Sequence, residues 1–140
     1  MNRIKDLIEE QNIDVDTLAK MIGLNNPTMV YNWIDEKYFP SKNYLIKICD
    51  YFSCSCDYLL GRTDDYSTVK TKNLVETKEQ IIKFLNSRKI SKYKLAKDAK
   101  INKGNVYSWF TKNTTPTTDM IVKIADHYNV SVDELIGRIT

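Results

Sequence analysis

The octet Ser55-Cys56-Asp57-Tyr58-Leu59-Leu60-Gly61-Arg62 returns 76 residues later as Ser131-Val132-Asp133-Glu134-Leu135-Ile136-Gly137-Arg138. Self-similarity of this kind constrains a fold more than composition does, because each copy must build the same supersecondary unit. Working back at the same offset of 76, Pro40 meets Pro116, Lys47-Ile48 meets Lys123-Ile124, and Val30-Tyr31-Asn32-Trp33 meets Val106-Tyr107-Ser108-Trp109. Further upstream, Leu18-Ala19-Lys20 meets Leu95-Ala96-Lys97 at an offset of 77. The first copy therefore carries one extra residue, near Asn25-Asn26-Pro27.

Two copies in 140 residues leave each close to the lower size limit for a self-supporting core. With 42% hydrophobic and 28% charged residues, and only 4 Gly and 3 Pro, the chain is too apolar for disorder and is not of low complexity. No apolar run approaches the roughly 18 residues that a membrane span requires. Met1-Asn2-Arg3-Ile4-Lys5-Asp6 opens an acidic amphipathic helix rather than a signal peptide, so a cytoplasmic protein is expected. Cys49, Cys54 and Cys56 fit neither a disulfide framework nor zinc spacing. Their partners in the repeat are Ala125, Val130 and Val132, which assigns them to core packing as small hydrophobes. The lone His127, opposite Tyr51, reads as a surface or boundary residue, and no metal or cofactor is expected.

In the second copy, Ile81, Ile82, Phe84 and Leu85 recur at helical spacing within 78–88. Ser91 is an N-cap for a helix with Leu95, Ala96 and Ala99 inward, and Asn102 caps a third helix holding Val106, Trp109 and Phe110. A polar loop over 111–118 precedes a fourth helix bearing Ile121, Val122, Ile124, Ala125 and Tyr128. Ser131-Val132-Asp133-Glu134 forms a capping box for a last short helix that stops at Gly137. The first copy repeats the plan with helices over about 2–11, 15–22, 27–35, 42–53 and 56–61, capped by Asp14, Asn26 and Ser55. Pro27 suits a first helical position, where no intrahelical bond is lost. The expected domains are 1–62 and 78–140, with 63–77 as a linker.

On these residues each copy resembles the Cro/C1-type (XRE-like) helix-turn-helix domain of phage repressors. The second copy carries Leu95-Ala96, Ile101-Asn102, Val106, Trp109, Pro116 and Ser131-Val132-Asp133-Glu134-Leu135. The first carries Leu18-Ala19, Gly23-Leu24, Val30, Trp33, Pro40 and Ser55 to Leu59. The resemblance implies an all-α fold of two tandem five-helix, lambda-repressor-like domains. It also implies a recognition helix in the major groove of double-stranded DNA, braced by the helix before it. Carried onto the second copy, the base-facing positions are Lys103, Gly104, Asn105 and Ser108, behind the cap Asn102. Lys92, Lys112 and Asn113 fall where the family meets phosphates, and Val106 and Trp109 are core positions. The matching first-copy positions Pro27, Thr28, Met29 and Asn32 are candidates for weaker DNA contact or for protein contact.

The formal charge of +3 is unevenly spread. Residues 1–62 hold seven Lys/Arg against nine Asp/Glu, and residues 78–140 hold twelve against six. Arg88, Lys89, Lys92, Lys94, Lys97, Lys100 and Lys103 concentrate the excess across helices one to three of the second copy. Such a run is either a solvated face or a phosphate-binding one; its coincidence with the motif favours the second reading. The first copy instead opens its second helix with Val15 and Asp16 behind Asp14, has no basic residue in its recognition helix, and follows that helix with Asp35-Glu36. Its Met29, Tyr31, Tyr38 and Phe39 either form a contact surface for a protein or a second protomer, or pad its own core. The expected function is sequence-specific DNA binding by a transcriptional regulator of the phage or mobile-element repressor kind, with the second copy as main reader. The competing class is a protein-binding inhibitor or antirepressor on the same fold. No catalytic constellation is discernible, so an enzyme is not expected.

Overall fold

A computed structural model describes residues 1–139, which divide into two compact units, Met1–Thr71 and Lys72–Ile139. Unit 1 contains α1 (Ile4–Glu10), α2 (Val15–Met21), α3 (Thr28–Ile34), α4 (Lys42–Phe52) and α5 (Cys56–Leu59). Unit 2 contains β1 (Asn73–Leu74), α6 (Thr77–Arg88), α7 (Lys92–Ala99), α8 (Lys103–Thr111), α9 (Thr118–Tyr128), α10 (Val132–Leu135) and β2 (Arg138–Ile139). Each unit is thus five helices, and unit 2 adds one two-residue antiparallel ladder in which Asn73 faces Ile139 and Leu74 faces Arg138.

Local capping chemistry sets the helix starts. Asp14, Ser55, Ser91 and Ser131 each accept a backbone N–H from the residue three further on. Asn26 and Asn102 accept instead from the residue two further on, Thr28 at 3.1 Å and Gly104 at 2.8 Å. Thr117 caps α9 by accepting from Met120, a role its place in the polar loop did not announce.

The helix-two to helix-three turn closes identically in both units. Leu24 donates to the Ala19 carbonyl at 2.8 Å, and Ile101 donates to the Ala96 carbonyl at 2.9 Å. The preceding residues, Gly23 and Lys100, are both left-handed, with φ of +91° and +57°. The extra residue of unit 1 is therefore Asn25, between the closed turn and Asn26. Pro27, expected in the first helical position behind a cap at Asn26, is itself the N-cap residue, and α3 starts at Thr28, because the Asn26 side chain reaches only two residues on, as in an Asx turn.

Apolar side chains from all five helices fill each core. Leu18, Val30, Trp33, Leu45, Ile48 and Leu59 are buried in unit 1, and Leu95, Val106, Trp109, Ile121, Ile124 and Leu135 in unit 2. Both tryptophans pack rather than bind. Cys49, Cys54 and Cys56 are buried together as free thiols, and burial, then the adjacent thiols, push Cys49 well above its ordinary pKa. Ile82, expected inward from its spacing, is 40% exposed, because the core-facing stripe of α6 runs through Ile81, Phe84 and Leu85.

The repeated octet is explained by packing. Asp57 pairs with Arg62 and Asp133 pairs with Arg138, each an acid near the start of the last helix holding an arginine five residues on. Gly61 and Gly137 sit between them at φ of +78° and +76°. A β-carbon there would collide with the Met1 carbonyl in unit 1 or the Val75 carbonyl in unit 2.

Residues 63–71 are bonded to unit 1. The Arg3 guanidinium donates to the Thr63 carbonyl at 2.7 Å, Val69 donates to the Ser53 carbonyl at 2.9 Å, and Thr71 donates twice to Asp50. Residues 72–77 belong to unit 2, where Val75 donates to the Gly137 carbonyl at 2.8 Å.

Candidate nucleic-acid interface

The expected DNA-facing residues of unit 2 lie on α7, on α8 with its cap, and in the loop that follows; Asn102, Lys103, Gly104, Asn105, Lys112 and Asn113 are exposed, and Lys92 and Ser108 are half-buried. Ser91 ends its extended segment by accepting from Lys94 at 3.0 Å, which places Lys92 in the first turn of α7. In that first turn the Lys94 and Leu95 N–H groups are both taken up by Ser91, and a lysine beside a helix N-terminus is an arrangement suited to an anion. Lys92 is half-buried, with Nζ 4.4 Å from the Phe110 ring centroid, so its stem lies along α8.

Lys103 begins α8 and is exposed. Its Nζ lies 5.4 Å from the Tyr93 ring and 5.9 Å from the Tyr107 ring, so one aromatic from α7 and one from α8 flank the cation. Asn102, which is exposed, accepts the Gly104 N–H with its side-chain carbonyl oxygen, and its amide group carries two further donors. A β-carbon on Gly104 would lie 3.0 Å from that same oxygen, so glycine keeps the cap uncrowded. Asn105 is exposed on the adjoining turn.

Ser108 is placed differently from the others. Its hydroxyl lies 2.8 Å from the Asn105 carbonyl and 2.9 Å from the Thr114 hydroxyl, so it ties the following loop to α8. That loop exposes Lys112 and Asn113, the latter left-handed at φ +58°.

Arg88, Lys89, Lys94, Lys97 and Lys100 are also exposed in unit 2. Lys94 is partly neutralised by Asp98 at 3.1 Å across one turn of α7. Asp98 also accepts from the Tyr128 hydroxyl at 3.1 Å and lies 3.9 Å from His127 Nε2. The Lys94 hydrogen bond, followed by that of Tyr128, holds the Asp98 carboxyl below its ordinary range. Burial, reinforced by donation to Asp98, pushes Tyr128 up to about 12. His127 is thus a boundary residue at the edge of an acid-centred cluster.

Unit 1 builds the same surface from other side chains. Lys92 is replaced by Val15, Lys100 by Gly23, Lys103 by Pro27, Asn105 by Met29 and Lys112 by Glu36. Thr28, Met29 and Tyr31 are exposed, and Pro27 and Asn32 are half-buried. Asn32 donates to the Tyr38 hydroxyl at 2.8 Å. Tyr38 and Phe39 are themselves 55% and 41% exposed, so these aromatics do not pad the core. Sequence periodicity could not decide that, because exposure here depends on a loop folding back along α3.

Five short helices with two capped around a tight turn, repeated in each unit, define the helix-turn-helix class of DNA-binding proteins. Residues 3–65 and 80–140 each match the Cro/C1-type HTH DNA-binding domain, and the chain belongs to that family as a tandem pair. No curated protein and no solved structure matches it. Among the described residues, no helix is long and apolar enough to cross a membrane.

Proposed function

We propose that the chain is a sequence-specific, double-stranded-DNA-binding transcriptional regulator of the phage or mobile-element repressor kind, acting in the cytoplasm, with unit 2 as its main reader. The observation that carries this reading is the contrast between two copies of one surface. Unit 2 presents Lys92, Lys103 and Lys112 around the exposed turn of α8, where unit 1 presents Val15, Pro27 and Glu36. Phosphate neutralisation supplies most non-specific affinity and steers association, so a surface stripped of cations loses the larger part of its hold on DNA. In this reading Lys103 and Asn105 contact base edges, the Asn102 amide assists them, and Gly104 allows close approach. Lys92, Lys112 and Asn113 hold phosphates.

The test is duplex binding by the full chain across salt. Lys103→Ala is expected to alter sequence preference, and Lys92→Ala to weaken all sequences alike. If both changes leave binding untouched, the assignment of the surface is wrong.

A second reading concerns unit 1. Exposed Met29, Tyr31, Tyr38 and Phe39 favour protein contact, either with a second copy or with a different protein as in an inhibitor or antirepressor. Under this reading Pro27, Thr28, Met29 and Asn32 form a contact face rather than a base-reading one.

A further inference from the structure

We infer that Tyr93 and Tyr107 are positioning residues for base reading: their rings hold the Lys103 ammonium in one direction, and that direction sets the sequence preference of unit 2. The inference rests on the reading of Lys103 as a base contact and adds to it the two side chains that aim it.

Lys103 and Tyr107 are one turn apart on α8, so they share a face. A helical side chain covers the turn N-terminal to its own Cα, which carries the Tyr107 ring toward Lys103. Tyr93, in the first turn of α7, closes the other side. Lys103 Nζ lies over both rings, 5.4 Å from the Tyr93 centroid and 5.9 Å from that of Tyr107, within the range at which a ring face attracts a cation. The same two rings border one open cleft with Ile82, Leu85 and Ile90, which places them together among apolar neighbours.

The manner of holding matters. Lys94 is held by the Asp98 carboxylate at 3.1 Å, which offsets its charge. Ring faces hold an ammonium without neutralising it, so Lys103 keeps its charge, and its N–H donors remain for a base edge. A lysine head on a flexible four-carbon stem loses rotamer freedom on binding, and one already flanked by rings loses less. Guanine, with O6 and N7 acceptors in the major groove, is the base such a donor reads. A lysine confined to one line discriminates it more sharply than one that sweeps across neighbouring base pairs.

Unit 1 is the internal control. At matching positions Tyr93 is replaced by Asp16 and Lys103 by Pro27, while Tyr107 corresponds to Tyr31. Val30 and Trp33 are nonetheless buried as Val106 and Trp109 are. The ring from the second helix and the cation are absent together, and the core forms without either. Tyr93 is 55% exposed and Tyr107 38%, too open for core packing to account for them.

Two measurements on the full chain test this. In the free protein, ring currents are expected to shift the Lys103 ε-methylene protons upfield, and Tyr93→Leu to return them toward the ordinary lysine position. The second is selection from a duplex library whose variable window spans about one helical turn, which gives a base preference at each position. Lys103→Ala is expected to flatten one position. Tyr93→Leu and Tyr107→Leu are each expected to weaken the preference at that same position about twofold to fivefold, the strength of a cation–π contact at an exposed site. In the Lys103→Ala background they are expected to add nothing further. Tyr93→Phe and Tyr107→Phe keep the ring face and are expected to restore the preference. Lys103 protons at their ordinary position in the wild type would overturn the inference, as would leucine variants that spare that position or weaken all duplexes evenly. Phenylalanine variants as impaired as the leucine ones would also overturn it, since the hydroxyls would then touch DNA themselves. A base preference indifferent to Lys103→Ala, with the upfield shift present, would overturn the reading of Lys103 as a base contact instead.

Discussion

Asn32 donates to the Tyr38 hydroxyl at 2.8 Å in unit 1, and Ser108 meets the Thr114 hydroxyl at 2.9 Å in the place the repeat assigns to that pair. Both units thus use one residue of the third helix to tether the loop that follows it. The tether is preserved while its chemistry changes, from two small hydroxyls to an amide and an aromatic ring.

The tether separates Ser108 from its neighbours on α8. Ser108→Ala is expected to weaken binding to a panel of duplexes evenly, by about threefold to tenfold, because it loosens the loop bearing Lys112 and Asn113. Asn105→Ala, with no such tether to lose, is expected to reorder the panel, since a base contact is worth about 1–3 kcal/mol of discrimination. A reordered panel for Ser108→Ala would return that residue to base reading.

The proposed phosphate contacts carry a salt signature. Lys92→Gln and Lys112→Gln are each expected to reduce the slope of log affinity against log salt by roughly 0.9. Lys20→Gln in unit 1 is expected to leave it unchanged. Fluorescence anisotropy at several salt concentrations measures all three.

The Asp98 cluster makes unit 2 sensitive to both pH extremes. The folded state holds the Asp98 carboxyl below its ordinary range, so its contribution is present above the unfolded carboxylate pKa and is lost as pH falls through the lowered folded value. Tyr128 has the opposite sign: raised to about 12, it contributes below the unfolded phenol pKa, and that contribution is lost as pH rises through about 12. Asp98→Asn is expected to flatten the acid side of the melting profile, and Tyr128→Phe the alkaline side, in thermal melts recorded between those limits.

Gly137→Ala combines left-handed backbone with a collision against the Val75 carbonyl, and Gly61→Ala meets the Met1 carbonyl in the same way. Each is expected to cost about 2–4 kcal/mol in urea unfolding. A loss below about 0.5 kcal/mol would show that the chain segment opposite simply moves aside.

The three thiols offer a further measure of unit 1. All are buried, so a water-soluble disulfide reagent is expected to label Cys49, Cys54 and Cys56 only as fast as unit 1 opens, and at once in denaturant. Rapid labelling of the native chain would contradict the packing described above.

The duplication, the ten helical segments of the described residues and most caps were legible in the sequence because they depend on neighbours within a few residues. A serine or aspartate reaches a backbone N–H three residues on whatever the rest of the chain does, and apolar spacing marks a helix face by the geometry of one turn. Charge asymmetry between the copies was equally plain, since it needs only counting. Tertiary structure decided what depends on distant partners. It placed Asn25 outside the closed turn, turned Ile82 to solvent, paired Asp133 with Arg138, and bonded residues 63–71 to unit 1 through Arg3, Ser53 and Asp50. It also left Tyr38 and Phe39 about half exposed, in a loop that folds back onto Asn32, and Met29 and Tyr31 on the flanks of α3 away from buried Val30 and Trp33. No local pattern carries that information: periodicity tells which residues share a face, and only packing tells which face is covered.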